Sequence, residues 1–189
     1  MNTRMFLVAG MAAGAIALLL APEAHAETVI KQPNAHPAYR AELEPHLDIL
    51  PWHRNYGYGY GRGYNGVGDV EFGAGFRASI EIADPAFIPK LNNTVAISFG
   101  IDFSNCRYCR QDFSFWSPIE LQWNFFLTDK WSVFGEGGFM LHSYGFFSDT
   151  YGDFTVGVGG RFHFNDKVAL TMRVGYPFVS IGVSFFVGH

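Results

Sequence analysis

Toward its C-terminal end the chain alternates large apolar residues with small or polar ones. Val168, Leu170, Met172, Val174 and Tyr176 interleave with Ala169, Thr171, Arg173 and Gly175. After Pro177 the pattern resumes, with Val179, Ile181, Val183, Phe185 and Val187 set against Ser180, Gly182, Ser184 and Phe186. A period of two places each set on one face of an extended strand. The same pattern recurs upstream, where Phe72, Ala74, Phe76, Ala78, Ile80 and Ile82 oppose Glu71, Gly73, Gly75, Arg77, Ser79 and Glu81. Val95, Ile97, Phe99, Ile101 and Phe103 oppose Thr94, Ala96, Ser98, Gly100 and Asp102, and Ile119, Leu121, Trp123, Phe125 and Leu127 oppose Glu120, Gln122 and Asn124. The alternation predicts eight strands, over residues 41–50, 68–82, 93–103, 113–127, 131–143, 154–164, 168–176 and 178–187. The first is interrupted by Pro45, which has no N–H to give to a ladder. It still places Leu43, Leu47 and Ile49 on one side and Glu44, His46 and Asp48 on the other. Closing the sheet without free edges calls for that strand, because bacterial single-chain barrels of the outer membrane have even strand numbers from eight upward.

One face of these strands is aliphatic or aromatic, and the other is Gly, Ser, Thr and an occasional charge. A soluble barrel needs a solvated outer face, yet all four lysines (Lys31, Lys90, Lys130 and Lys167) lie outside the predicted strands. The apolar face is therefore expected to meet hydrocarbon. Trp123, Trp131, Phe164 and Tyr176, near strand ends, suit the interfacial girdles of such a barrel. Thr128-Asp129-Lys130 and Asn165-Asp166-Lys167 are tight turns on the periplasmic side, joined there by residues 83–92. Residues 55–66, 104–112 and 143–153 form outer loops, and Tyr176-Pro177-Phe178 is an outer connection of minimal length.

Composition places the chain in the cell. Residues 1–26 have the form of a cleaved export signal: Arg4, an apolar run from Phe6 to Ala21, then Ala24-His25-Ala26 as a small-residue cleavage site. Residues 27–40, with two prolines and no periodicity, are expected to form a flexible periplasmic lead-in, and residues 41–189 the barrel domain. No later segment reaches the ~18 consecutive apolar residues of a helical span, so the 49% hydrophobic content must lie in strands. A net charge of -4 argues against nucleic acid as a partner.

On these residues the chain resembles the small outer-membrane β-barrel proteins, the OmpA/OmpX-like superfamily, over about residues 41–187. The sharpest local match is the last strand. The resemblance implies that Ser180, Gly182, Phe185 and Val187 form the assembly signal read by the barrel-insertion machinery. The chain departs from the family by ending Val187-Gly188-His189 instead of on an aromatic residue.

Candidate chemistry lies mainly inside. Glu44, Glu71, Arg77, Glu81, Asp102, Glu120, Glu136, Arg161 and Arg173 project inward, where an eight-stranded barrel is just wide enough for its own side chains. They are expected to form a plug of paired charges; the competing reading is a gated ion path. His142-Ser143 invites comparison with lipid A deacylases, but neighbours in a strand point to opposite faces, which separates nucleophile from base. His46 and His163 also face inward and, lacking Cys or carboxylate at ligand spacing, are expected to be interior groups and not metal ligands. Cys106 and Cys109 form a C-x-x-C whose exported setting favours a disulfide across an outer loop. The Tyr/Gly segment from Tyr56 to Tyr64 is low-complexity and expected to be a flexible loop, with exposed aromatics for glycan or partner binding as the alternative. Gly157-Val158-Gly159-Gly160 continues a strand and is no phosphate loop. The expectation is an all-β, eight-stranded antiparallel up-and-down transmembrane β-barrel, monomeric, in the outer membrane of a Gram-negative bacterium. It has no catalytic residues, no metal and no cofactor; its partners are outer-membrane lipid and the insertion machinery, and its role is structural or surface-interacting. The alternatives are a narrow channel and a lipid-modifying enzyme.

Overall fold

A computed structural model of the chain describes residues 27–51, 70–106, 113–144 and 150–188. It contains β1 (Ala41–Leu50), β2 (Glu71–Ala83), β3 (Asn93–Asn105), β4 (Phe113–Phe126), β5 (Trp131–Tyr144), β6 (Thr150–Asn165), β7 (Val168–Tyr176) and β8 (Val179–Val187). Each strand pairs antiparallel with its neighbour in sequence, and β8 returns to β1, closing an up-and-down barrel. Closure runs through Leu43↔Phe185, His46↔Gly182 and Leu47↔Ile181. The strands match the alternation closely; β6 begins at Thr150, earlier than the expected 154, and β2 at Glu71, later than 68.

Two prolines lie inside strands, and in both places the ladder accommodates the missing N–H. Pro45 pairs with Phe76 toward β2, while pairing toward β8 lapses at Glu44 and Pro45 without a change of register. Pro118 pairs with Met140 toward β5, while pairing toward β3 lapses beside it. There the Ser117 hydroxyl donates to the Gly100 carbonyl at 3.1 Å, supplying a donor where the ladder has lost one.

The two faces divide as the period of two requires. Outward positions on all eight strands carry no Asp, Glu, Lys or Arg. They expose large apolar side chains right around the wall, with Phe139 78% and Val158 64% exposed. Val95 keeps the expected outward parity and pairs with Trp123, yet it is buried. The connection before β3 folds back there, with Phe87 packed edge-on against Trp123, the cross-strand partner of Val95.

Residues 27–40 also differ from the expected flexible lead-in. They cross the end of the barrel that carries the short turns, held by Val29 N–H to Leu127 O at 3.0 Å and Asn92 N–H to Ile30 O at 2.8 Å. Val29 and Tyr39 enter an apolar cluster with Phe126, Ala169 and Phe186. Burial of these two side chains is what a segment without periodicity gains by folding onto an open barrel mouth. At the opposite, long-loop end, Leu50, Trp116, Met140 and Phe178 form a second apolar cluster. The barrel interior is thus polar in its middle and apolar at both ends. The export signal and the Tyr/Gly segment lie outside the described residues.

Candidate functional site in the barrel interior

Between the two apolar clusters, buried charges stack in layers, and β1 contributes to every layer because Glu42, Glu44, His46 and Asp48 share its inward face. Nearest the turns, Arg161 Nε and Nη2 donate to the two oxygens of Glu42 at 2.8 and 2.7 Å. Two of its remaining N–H groups reach Asn124 Oδ1 at 3.0 Å and Gln122 Oε1 at 3.1 Å. This is the bidentate fork of a guanidinium on a carboxylate, with two of the three surplus donors also satisfied.

The middle layer holds the other two arginines. Arg173 donates to both oxygens of Glu44, at 2.8 and 3.1 Å, and its Nε lies 2.6 Å from Glu136 Oε1. Arg77 donates to Glu120, whose other oxygen accepts from the Thr155 hydroxyl at 2.7 Å. Phe134 separates the layers: Arg161 sits 4.2 Å and Arg173 5.2 Å from its ring centre. Placed between two guanidiniums, the ring face adds cation–π attraction where water is excluded.

The layer nearest the long loops has a different composition. His46 Nε2 lies 2.6 Å from Asp102 Oδ1 and 3.5 Å from Asp48 Oδ1. The nearest guanidinium contact is Arg77 Nη2, 3.9 Å from Asp102 Oδ2. Asp48 Oδ2 and Asp102 Oδ2 are buried and accept no hydrogen bond among the described residues. Among the described residues, the carboxylates of Glu42, Glu44, Asp48, Asp102, Glu120 and Glu136 face the guanidiniums of Arg77, Arg161 and Arg173 and the imidazole of His46.

Of the inward charges expected from the sequence, Glu44, Arg77, Asp102, Glu120, Glu136, Arg161 and Arg173 are brought together here, and Glu71 is buried near the loop end of β2. Glu81 is only half-buried, at the turn end. Glu42 was missed, although it shares parity with Glu44 and could have been found by extending the alternation back along β1. His163 lies inside, with Nε2 2.9 Å from the Ser132 hydroxyl. His142 and Ser143 both belong to β5, where alternation sends their side chains to opposite faces. His142 stacks on Trp116 with ring centres 3.3 Å apart, while the Ser143 hydroxyl accepts from Thr150 at 3.0 Å. Gly157, Val158, Gly159 and Gly160 lie inside β6, as alternation requires.

No family model matches the chain, and no curated protein shows significant similarity to it. One solved structure, from the de novo design of transmembrane beta-barrels, aligns over 82% of this chain and 100% of its own, at 12% identity and a TM-score of 0.49.

The remaining expected features lie near the ends. In the last strand, Ser180 and Gly182 face inward, and Phe185 and Val187 face outward, 43% and 41% exposed. Cys106 is buried just beyond β3, and Cys109 lies outside the described residues. At the turn end a cleft of about 240 Å³ is lined by residues including His36, Phe126, Asp129, His163 and Asp166. The His36 ring stacks on Phe126 at 4.3 Å.

Proposed function

We propose that this protein is an outer-membrane β-barrel of the OmpA/OmpX-like kind in a Gram-negative bacterium. In this reading it is a monomer without catalytic activity that reinforces the envelope or presents its loops for interaction. The observation that carries the reading is the outer wall: a full circumference of exposed Ile, Leu, Val, Phe and Met without a charged side chain. Soluble monomers rarely expose contiguous apolar patches beyond a few hundred Å². A wall of this kind is stable only in hydrocarbon, and a closed barrel satisfies its backbone groups there without edges.

The interior supports the non-conducting form of this proposal over the channel form. The polar layers lie between the cluster of Val29, Tyr39, Phe126, Ala169 and Phe186 at one end and that of Leu50, Trp116, Met140 and Phe178 at the other. An ion entering would have to displace both and break paired charges. The outward Phe185 and Val187, with Gly182 inward, also suit recognition of the last strand by the insertion machinery while it pairs with β1.

Fractionation of the native host with a heat-modifiability gel tests the location. The protein is expected in the outer membrane as a band that shifts on boiling, and recovery as a soluble periplasmic band would overturn the proposal. Planar-bilayer recordings are expected to show no steps, and lipid A mass profiles no change with and without the protein. Discrete conductance would favour a channel, and an altered acyl pattern an enzyme.

A further inference from the structure

The loop-end layer of the lumen is built over a glycine. Gly75 on β2 is the cross-strand partner of His46 on β1 and of Asp102 on β3. Side chains from two strands therefore lean together over a position that has none. A Cβ on Gly75 would collide with Asp102 Oδ1 and with His46 Nε2, so any other residue would force the pair apart. Asp48 joins from two residues along β1, on the same face. One ligand-type atom from each of His46, Asp48 and Asp102 lies within 4.8 Å of the others.

The hydrogen bonding of the imidazole orients this group. His46 Nδ1 lies 3.1 Å from the Glu44 carbonyl oxygen, a contact in which the ring N–H donates. In a neutral ring that tautomer leaves the Nε2 lone pair aimed at Asp102 Oδ1, 2.6 Å away. Nε2 and a carboxylate oxygen that close need either a proton or a metal ion between them. A backbone carbonyl holding the far nitrogen is also how metal-bound imidazoles are commonly fixed. Two further observations among the described residues point to a metal ion: the buried Oδ2 atoms of Asp48 and Asp102 accept no hydrogen bond, and no guanidinium comes closer to either aspartate than Arg77, 3.9 Å from Asp102.

We propose that His46 Nε2 and one oxygen each of Asp48 and Asp102 bind a single divalent transition-metal ion of the zinc type, with the remaining coordination positions taken by water. An imidazole nitrogen suits Zn²⁺ and its neighbours in the first transition row better than Mg²⁺ or Ca²⁺, which prefer all-oxygen shells. At metal–ligand distances of ~2.0–2.2 Å, tetrahedral ligand atoms stand ~3.3 Å apart. The His46–Asp48 separation of 3.5 Å is already close to this, and the His46–Asp102 contact opens from 2.6 Å as the ion enters. The site stands or falls independently of the role proposed for the barrel surface. Because the ligands are buried beneath Leu50, Trp116 and Phe178, the ion is taken up most readily while the barrel folds.

The test refolds the full chain into detergent micelles with Zn²⁺, removes free metal by desalting, and measures metal content and competition against a chromophoric chelator. About one Zn²⁺ per chain is expected to be retained, with Mg²⁺ or Ca²⁺ at equal concentration failing to displace it. His46→Gln and Asp102→Asn are each expected to weaken Zn²⁺ by more than about tenfold, the least that loss even of an outer partner costs. Gly75→Ala should do the same by filling the cradle, while His163→Gln, in another layer, should leave binding unchanged. Variants are scored only on material that shows the compact, heat-modifiable band. Should none of them fold, Co²⁺ in the unmodified protein decides, since a bound ion with this N/O set gives visible d–d absorption that hexa-aqua Co²⁺ nearly lacks. Refolded wild-type protein that retains no Zn²⁺, binding unchanged in His46→Gln and Asp102→Asn, or a Co²⁺ spectrum identical to the free ion would overturn the proposal. His46 would then be an imidazolium paired with two carboxylates.

Discussion

At the turn end of the lumen Glu42 gives both oxygens to Arg161, and two other N–H groups of that guanidinium meet amide oxygens. At the loop end Asp48 and Asp102 share one imidazole, and each keeps a buried oxygen that accepts no hydrogen bond among the described residues. Both layers sit in the same barrel, on the same face of β1, at similar burial. The difference teaches that filling an eight-stranded barrel does not by itself satisfy its charges. Where a guanidinium grips both oxygens, the carboxylate is a structural strut; where the nearest guanidinium stands 3.9 Å off, the same group type keeps unspent affinity for a cation.

The largest effect should come from breaking the satisfied layer. Arg161→Met keeps much of the volume but leaves Glu42 buried without its partner, and is expected to cost about 3–5 kcal/mol in urea unfolding from micelles or vesicles. Adding Glu42→Gln to it should recover most of the loss, because the stranded charge then disappears. If the single change costs less than the double, the turn-end pair is not the strut described here.

The contrast can also be forced from outside, where the wall should tolerate no charge at mid-depth. Val158→Arg is expected to cost about 2–4 kcal/mol for folding into lipid vesicles, and Phe164→Arg, near the turn end, about 0–1 kcal/mol. Both positions are well exposed in the structure, so packing loss alone does not separate them. Equal penalties would mean that the wall does not sit across a bilayer.

At the loop end the sign should reverse. With a chelator present, Asp48→Asn removes a buried charge that no guanidinium contacts among the described residues, and is expected to stabilise the barrel by about 1–2 kcal/mol. Glu44→Gln, which strips Arg173 of a bidentate partner, should destabilise it. Loss of stability in both variants would erase the distinction between the layers.

Much of this was legible because a period of two is written into every strand, and closure supplies the count of eight. Even β1, interrupted by Pro45, follows from the need to leave no edge. What the alternation cannot show is which inward groups meet. His46 looks isolated in sequence, since Asp102 lies 56 positions away. Only the register of β1, β2 and β3, with Gly75 between them, brings the two together. Asp48, two residues along the same face, was the available signal. Val95 and residues 27–40 escaped for another reason: Val95 is buried although it keeps its outward parity, and residues 27–40 fold over the barrel mouth without any periodicity of their own.

The smallest effect concerns the segment sealing the satisfied end. Burial, and then the nearby Glu42 charge, raise the Tyr39 phenol well above its ordinary value of 10.0, while a side-chain hydrogen bond to Thr94 works the other way. A group whose folded pKa is raised keeps its proton in the native state after the unfolded chain has lost its own. Stability from this source is therefore complete below pH ~10 and falls as pH rises past it, because the unfolded state then binds fewer protons. By pH ~10.5 the loss should be about 0.5–1 kcal/mol, since a tenfold fall in proton activity is worth about 1.4 kcal/mol for each proton the two states hold differently. Tyr39→Phe cannot ionise and should lack this part of the alkaline decline in urea unfolding, while losing its bond to Thr94 at every pH. Parallel declines in the two proteins would show that Tyr39 is not sealed into the turn-end cluster, and that the end with satisfied charges is open to water.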